Sequence, residues 1–254
     1  MPSRQSSSPD ASPTALMLCR RFFVVAAFAS IALTTRVARA LTIKGALPWR
    51  PNAGSPPVPA EPGPWKYFTG DEAQAVEALV DRLIPPDPKF AGGRQAGCAV
   101  YIDRQLAGPF GSAQGLYMRG PFDPKAPPDQ GNQSPQTPAA HYRQALAELD
   151  QHCRATFAGK PFARLPAEQQ DKVIGGLEDG SIKFSQGESK AFFSMVLTNT
   201  QEGFFADPLY GGNRDMVGWR MIGYPGARYD YRDWVDHHNE RYPHAPVSVD
   251  VGSG

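Results

Sequence analysis

Apolar positions recur at helical spacing in several separated stretches of the chain. In the first, Val76, Leu79, Val80, Leu83 and Ile84 follow the 3.6-residue period. Thr69 and Glu72 ahead of them spell a T-x-x-E capping box, whose hydroxyl and carboxylate satisfy backbone N–H groups left free in the first turn. Pro85-Pro86 stop the helix. A second helix is expected from near Arg94 to Leu106, anchored by Val100, Ile102 and Leu106. Thr137-Pro138 opens a third, a cap residue followed by proline at the first helical position, with Tyr142, Leu146, Leu149 and Cys153 on one face. Pro166 opens a fourth, with Val173, Ile174 and Leu177 inward and Gly180 after it. Ser185 and Glu188 suggest another capping box for a fifth, which carries Phe192, Met195, Val196, Asn199, Gly203 and Phe204. Alternation of apolar and polar residues persists almost nowhere, and no internal repeat stands out. The expected fold is therefore all-α: an irregular bundle of about five to six helices with long Pro/Gly-rich loops.

The stretches between and after the helices change that picture. Residues 107–137 form a long loop rich in Gly, Pro, Gln and Asn that also carries Phe110, Leu116, Tyr117, Met118 and Phe122. A loop of that length is usually functional or docked, and its apolar residues argue against free motion. From Ala206 to Arg228 the chain sets five glycines among bulky apolar residues, and Asn213 is placed to cap a short helix through Trp219 and Ile222 that Pro225-Gly226 ends. Tyr210, Trp219 and Tyr224 are residue types that dominate protein–protein hot spots. With Asp207 and Asn213 they are the candidate partner-interface residues, beside an equal expectation of a glycine-rich turn held on the core. Asn199, Thr200, Gln201 and Glu202 read as the solvated side of a helix end, or as a hydrogen-bonding surface. Tyr229, Tyr231, Trp234 and Tyr242 require at least part of the tail to be held down.

The N-terminus adds an address. Arg20-Arg21 precede the apolar run Phe22 to Thr35, too short for the roughly 20 residues a membrane span needs. Ala38-Arg39-Ala40 follows at cleavage distance. The paired arginines and Phe23 resemble the twin-arginine (Tat) consensus, departing from it at Cys19 and Val24. Arg36 and Arg39 next to the cut suit the Tat route better than the general secretory one, which is the alternative. Residues 1–40 are thus expected to be a twin-arginine-type signal, 41–66 with seven prolines an extended linker, and 67–254 a single helical domain. The leader holds Arg4, Arg20, Arg21, Arg36 and Arg39 against Asp10, so its removal takes the formal charge from +1 to −3. Neither value suits a nucleic-acid binder. Gly and Pro together, 51 of 254 residues, exceed the usual share of about 12% and fit the irregular loops.

Chemistry of the common kinds is missing from the sequence. There is no G-x-G-x-x-G after a strand, no G-x-x-x-x-G-K-[ST], no C-x-x-C-H and no G-x-S-x-G. Among the five histidines, His141 and His152 are 11 apart, His237 and His238 are adjacent and His244 stands alone, so none has the i, i+4 spacing of helical metal ligands. Ser181, Ser185 and Ser194 have turn, cap and helix explanations, and Asp81, Asp103 and Asp150 read as scattered carboxylates on solvated helix faces. Cys98 and Cys153 remain after the leader. Two cysteines in an exported chain most simply form one disulfide, closing a loop of about 55 residues and worth about 4 kcal/mol. Two separately buried thiols are the alternative.

D-R-L-I-P-P-D (81–87), A-V-Y-I-D-R-Q-L-A-G-P (99–109), Q-S-P-Q-T-P-A-A-H-Y-R (133–143), D-P-L-Y-G-G-N (207–213) and G-W-R-M-I-G-Y-P-G (218–226) resemble the small, or gamma, subunit of membrane-bound gluconate 2-dehydrogenase. With the Tat-like start, the resemblance runs over most of residues 67–228. It implies a heterotrimer at the periplasmic face of the inner membrane. A large subunit holds FAD and oxidises a sugar acid or related polyol, and a multihaem cytochrome c subunit passes electrons to quinone. The small subunit carries no known cofactor and no catalytic residue. The resemblance therefore implies a non-catalytic subunit that engages the Tat translocase through its signal, escorts the flavoprotein and stabilises it. A free-standing periplasmic binding or adaptor protein, or an independent enzyme, is the competing expectation.

Overall fold

In a computed structural model of the chain, residues 63–249 are described, apart from 124, 132, 186, 229 and 230. The signal residues Arg20, Arg21, Ala38 and Ala40, and most of the proline-rich stretch, lie outside the described residues. Among those described are six α-helices and one isolated parallel bridge, between Gly226 and Val247, and the fold is all-α. The helices are α1 (Gly70–Leu83), α2 (Cys98–Leu106), α3 (Pro138–Thr156), α4 (Ala167–Glu178), α5 (Ser189–Phe205) and α6 (Val217–Ile222).

The expected start of α1 forms as written: Thr69 accepts from the Glu72 amide, and the Glu72 carboxylate accepts from the Thr69 amide at 2.8 Å. Thr137 caps α3 by accepting from the Ala140 amide. α2 begins at Cys98 rather than near Arg94, because Gly97 stands at φ 82°, and this left-handed residue ends the preceding turn before the helix starts. The second expected box fails. α5 starts at Ser189 without a side-chain cap, and the Ser185 amide is drawn instead to the Glu148 carboxylate of α3.

α5 is apolar around most of its circumference, as a helix enclosed by others must be. It packs on α1, α2, α3, α4 and α6. Phe192 and Val196 on α5 meet Val76, Leu79 and Val80 of α1, Ile102 and Leu106 of α2, Leu146 and Leu149 of α3, and Val173 and Leu177 of α4 in one buried cluster. The Tyr142 and Phe192 rings meet edge to face at 5.7 Å.

The disulfide expected between Cys98 and Cys153 is not formed: both are buried free thiols. Cys98 opens α2 and Cys153 lies in the last turn of α3, and each fills a core position as a small hydrophobe. Burial pushes the Cys98 thiol up to about 12 and the Cys153 thiol up to about 11. Asp103 corrects a second expectation. It is fully buried, and its carboxylate accepts from the amides of Lys66, Tyr67 and Phe68 at 2.9, 2.9 and 3.0 Å and from Arg104 Nη1 at 2.6 Å. It fastens the incoming chain to α2, and no spacing in the sequence announces this because its partners are backbone groups.

The 107–137 loop is tied at both ends. The Gly111 amide donates to the Gln105 carbonyl, and the Gly111 carbonyl accepts from the Ala139 amide. Leu116 and Tyr117 nevertheless face outward, Tyr117 at 75% exposure.

Candidate functional site

Residues 206–226 fold back across the end of α5 through main-chain contact. A Cβ at Gly212 would lie 2.1 Å from the Gly203 carbonyl oxygen, and one at Gly218 would lie 2.2 Å from that of Phe204. Only glycine permits such an approach. Asn213 clamps the segment from inside. It is fully buried at φ 44°, donates from Nδ2 to the Ala206 carbonyl at 2.8 Å, and accepts at Oδ1 from the Gly218 amide at 2.8 Å. It thus caps α6 from four residues ahead of the helix, whose own N-cap is Met216. Trp219 turns inward and donates from Nε1 to the Phe205 carbonyl at 2.7 Å. The Arg214 amide donates to the Ala96 carbonyl, pinning the same segment to the turn before α2.

Asp207 is a clasp for the tail. It caps its own turn through the Leu209 amide, and it accepts from Ser248 Oγ at 2.6 Å and from the Val249 amide at 2.8 Å. The Ala227 amide donates to the Val247 carbonyl at 2.7 Å, and Trp234, Tyr231 and His244 gather around the Tyr242 ring. Part of the tail is held down, as its aromatic content predicts.

The interface candidates therefore divide by position. Asn213 and Trp219 build the segment from within, Asp207 ties it to the tail, and Tyr210 and Tyr224 stand on its surface at 52% and 46% exposure. Phe205, Met221 and Ile222 join them outside, Ile222 at 60%. These three escaped the sequence reading. The available signal was α6 itself: a six-residue helix with Trp219 turned inward has only one side to bury, so Met221 and Ile222 are left for the other. The expectation of a glycine-rich turn and that of an exposed aromatic surface describe two sides of one segment. At the end of α5 the solvated reading fails in part. Asn199 and Thr200 are buried, with Tyr142 donating to Asn199 Oδ1 at 2.9 Å, while Gln201 and Glu202 are exposed.

Elsewhere, among the described residues, no group of three or more His, Cys, Asp or Glu side chains is placed to hold a metal ion. No described helix is long and apolar enough to cross a membrane. His141 lies against Phe192, and burial lowers its pKa. His237 stacks on Trp234 at 4.1 Å. A cleft of about 620 Å³ between α1, α3 and the 158–164 turn is lined by charges of both signs, among them the Arg154–Asp150 pair at 2.7 Å.

Residues 70–226, from the first residue of α1 to the glycine that bridges to the tail, match the family described as Gluconate 2-dehydrogenase subunit 3. The chain belongs to the gluconate 2-dehydrogenase subunit 3 family. It is a gluconate 2-dehydrogenase-like subunit, and its activity link is to an oxidoreductase assembly. No curated protein and no solved structure matches the chain. The subunit 3 stretch takes in all six helices and the glycine segment with its exposed rings, while the tail from 227 onward falls outside it.

Proposed function

We propose that this chain is the non-catalytic small subunit of a periplasmic, membrane-associated, FAD-dependent dehydrogenase of the gluconate 2-dehydrogenase type. In this reading it binds the flavoprotein subunit in the cytoplasm, carries it through the Tat route by its own signal, and stays in the mature enzyme beside a multihaem cytochrome c. The substrate is a sugar acid or related polyol, and the flavin of the large subunit oxidises it. The observation that carries the reading is the subunit 3 match over residues 70–226. The twin-arginine-type start supports it physically. A flavoprotein folds around FAD in the cytoplasm and must cross folded, and the Tat route moves folded proteins. A helical subunit without its own cofactor has little need of that route unless it takes a folded partner along. The exposed rings on 205–224 supply a surface of the kind such a partner would cover.

The test is to replace Arg20 and Arg21 by lysine and follow the flavoprotein. Periplasmic dehydrogenase activity should disappear while flavin-loaded large subunit accumulates in the cytoplasm. Continued export of active flavoprotein would overturn the escort role.

A further inference from the structure

Where α2 crosses the end of α5, the surface opens into a groove of about 430 Å³ whose walls include Tyr101, Gln105, Glu202, Phe205, Asp207 and Tyr210. Tyr101 packs against Gly203, and burial together with the nearby Glu202 carboxylate raises the pKa of its hydroxyl. Asn199 Nδ2 donates to Glu202 Oε2 at 3.1 Å, and Asn199 is itself held by Tyr142. The exposed Glu202 carboxylate is therefore oriented by a short chain of neutral groups running back into the core. Asp207, at the other end of the groove, accepts only neutral donors: Leu209 N, Ser248 Oγ and Val249 N. Among the described residues no Lys, Arg or His side chain forms an ion pair with either carboxylate. Two oriented negative charges thus stand without a cation beside the rings of Tyr101, Tyr210 and Phe205, and Tyr210 and Phe205 are exposed.

That combination selects its ligand. Rings alone would suit any apolar side chain, and carboxylates alone would suit any cation. A planar guanidinium meets both, because it stacks on aromatic faces and forms directed hydrogen bonds to carboxylate. We infer that this groove is an anchor pocket for an arginine side chain presented by the flavoprotein subunit. The inference rests on the reading of the chain as that subunit's binding partner, and it deepens it by naming the contact. Arginine enclosed by aromatic residues is a common centre of tight interfaces. The apolar Met221, Ile222 and Tyr224 on the adjoining α6 segment would extend the covered area beyond the pocket.

The experiment uses the full chain co-expressed with its flavoprotein subunit. The probe is that flavoprotein, and bound flavin per chain and the half-saturating concentration on rebinding are measured. Glu202→Gln keeps an acceptor for Asn199 and removes the charge. Tyr210→Ala removes an exposed ring, and Tyr210→Phe restores it. Each of the first two should raise the half-saturating concentration about tenfold, the scale of one good cation–π or charged contact, while Tyr210→Phe stays near the wild type. Added salt should weaken the wild type and affect Glu202→Gln much less. Near-ultraviolet circular dichroism confirms that the variants fold. A photo-crosslinking residue at Gln105 should capture a flavoprotein peptide that contains arginine. Wild-type-like binding by Glu202→Gln would overturn the guanidinium pocket and leave the escort reading standing. So would a captured peptide without arginine, or self-association that Glu202→Gln abolishes. Failure of the wild-type chain to hold any flavoprotein would overturn both.

Discussion

Residues 70–205 and residues 206–226 are held in place by different means. In the first region side chains decide position: Phe192, Leu149, Ile102 and Val80 fill one interior, and the backbone follows them. In the second the backbone decides. Gly212 and Gly218 lie on the carbonyls of Gly203 and Phe204, Asn213 bonds two main-chain groups, and the large side chains Tyr210, Ile222 and Tyr224 remain outside. A segment fixed by its own apolar side chains has none left to offer. One fixed through glycine and a buried amide can keep its rings on the surface.

Substitution should separate the two regions. Phe192→Ala empties the centre of the bundle and should cost about 3–5 kcal/mol, lowering the melting temperature of the whole described unit by about 10 °C. Asn213→Ala leaves the Ala206 carbonyl and the Gly218 amide without partners, for about 2–3 kcal/mol. Its hydrogen-exchange signature should differ: amides of 206–226 lose protection first while those of α3 and α5 keep theirs. Equal loss in both regions would mean that they unfold as one, and the contrast drawn above would fail.

The sequence showed the first region well, because a helix that buries one face writes its period into the apolar positions. Val76, Leu79 and Val80, or Tyr142, Leu146 and Leu149, could be placed inward before any coordinates. Thr69-Glu72 and Thr137-Pro138 gave their boundaries because a cap is a local contact. Asp103 was missed because it acts on backbone groups distant in the sequence, and a backbone group carries no residue letter. Asn213, by contrast, caps α6 as its position suggests. The thiols were misjudged for a different reason: two cysteines in a chain expected to be exported invite pairing, but each here had a core position of its own to fill.

The thiols supply the next test. Below about pH 9 both folded and unfolded thiols hold their protons. Above it the unfolded chain ionises, while Cys98 and Cys153 resist until about 12 and about 11. Folding stability should therefore fall as pH rises through that window, by about 2–3 kcal/mol for each thiol at pH 11. The paired Cys98→Ala, Cys153→Ala variant should show a shallower slope in urea titrations at successive pH values. A wild-type melting temperature that drops on adding reductant would instead reveal a disulfide.

Smaller effects test the helix ends. Thr69→Ala removes a formed capping box and should cost about 1 kcal/mol, whereas Ser185→Ala removes a hydroxyl that caps nothing and should be silent in the same thermal scans. Smallest of all, Tyr210→Ala and Tyr224→Ala should shift stability by about 0.5 kcal/mol or less, since exposed rings contribute little to the isolated chain.

The clasp at Asp207 has a practical corollary. Because Val249 is bonded to it, any sequence fused directly after Val249 begins beside the α2–α5 groove. A bulky purification handle there would stand where a partner is expected to land, so a weak pull-down from such a fusion would report on the handle as much as on the protein.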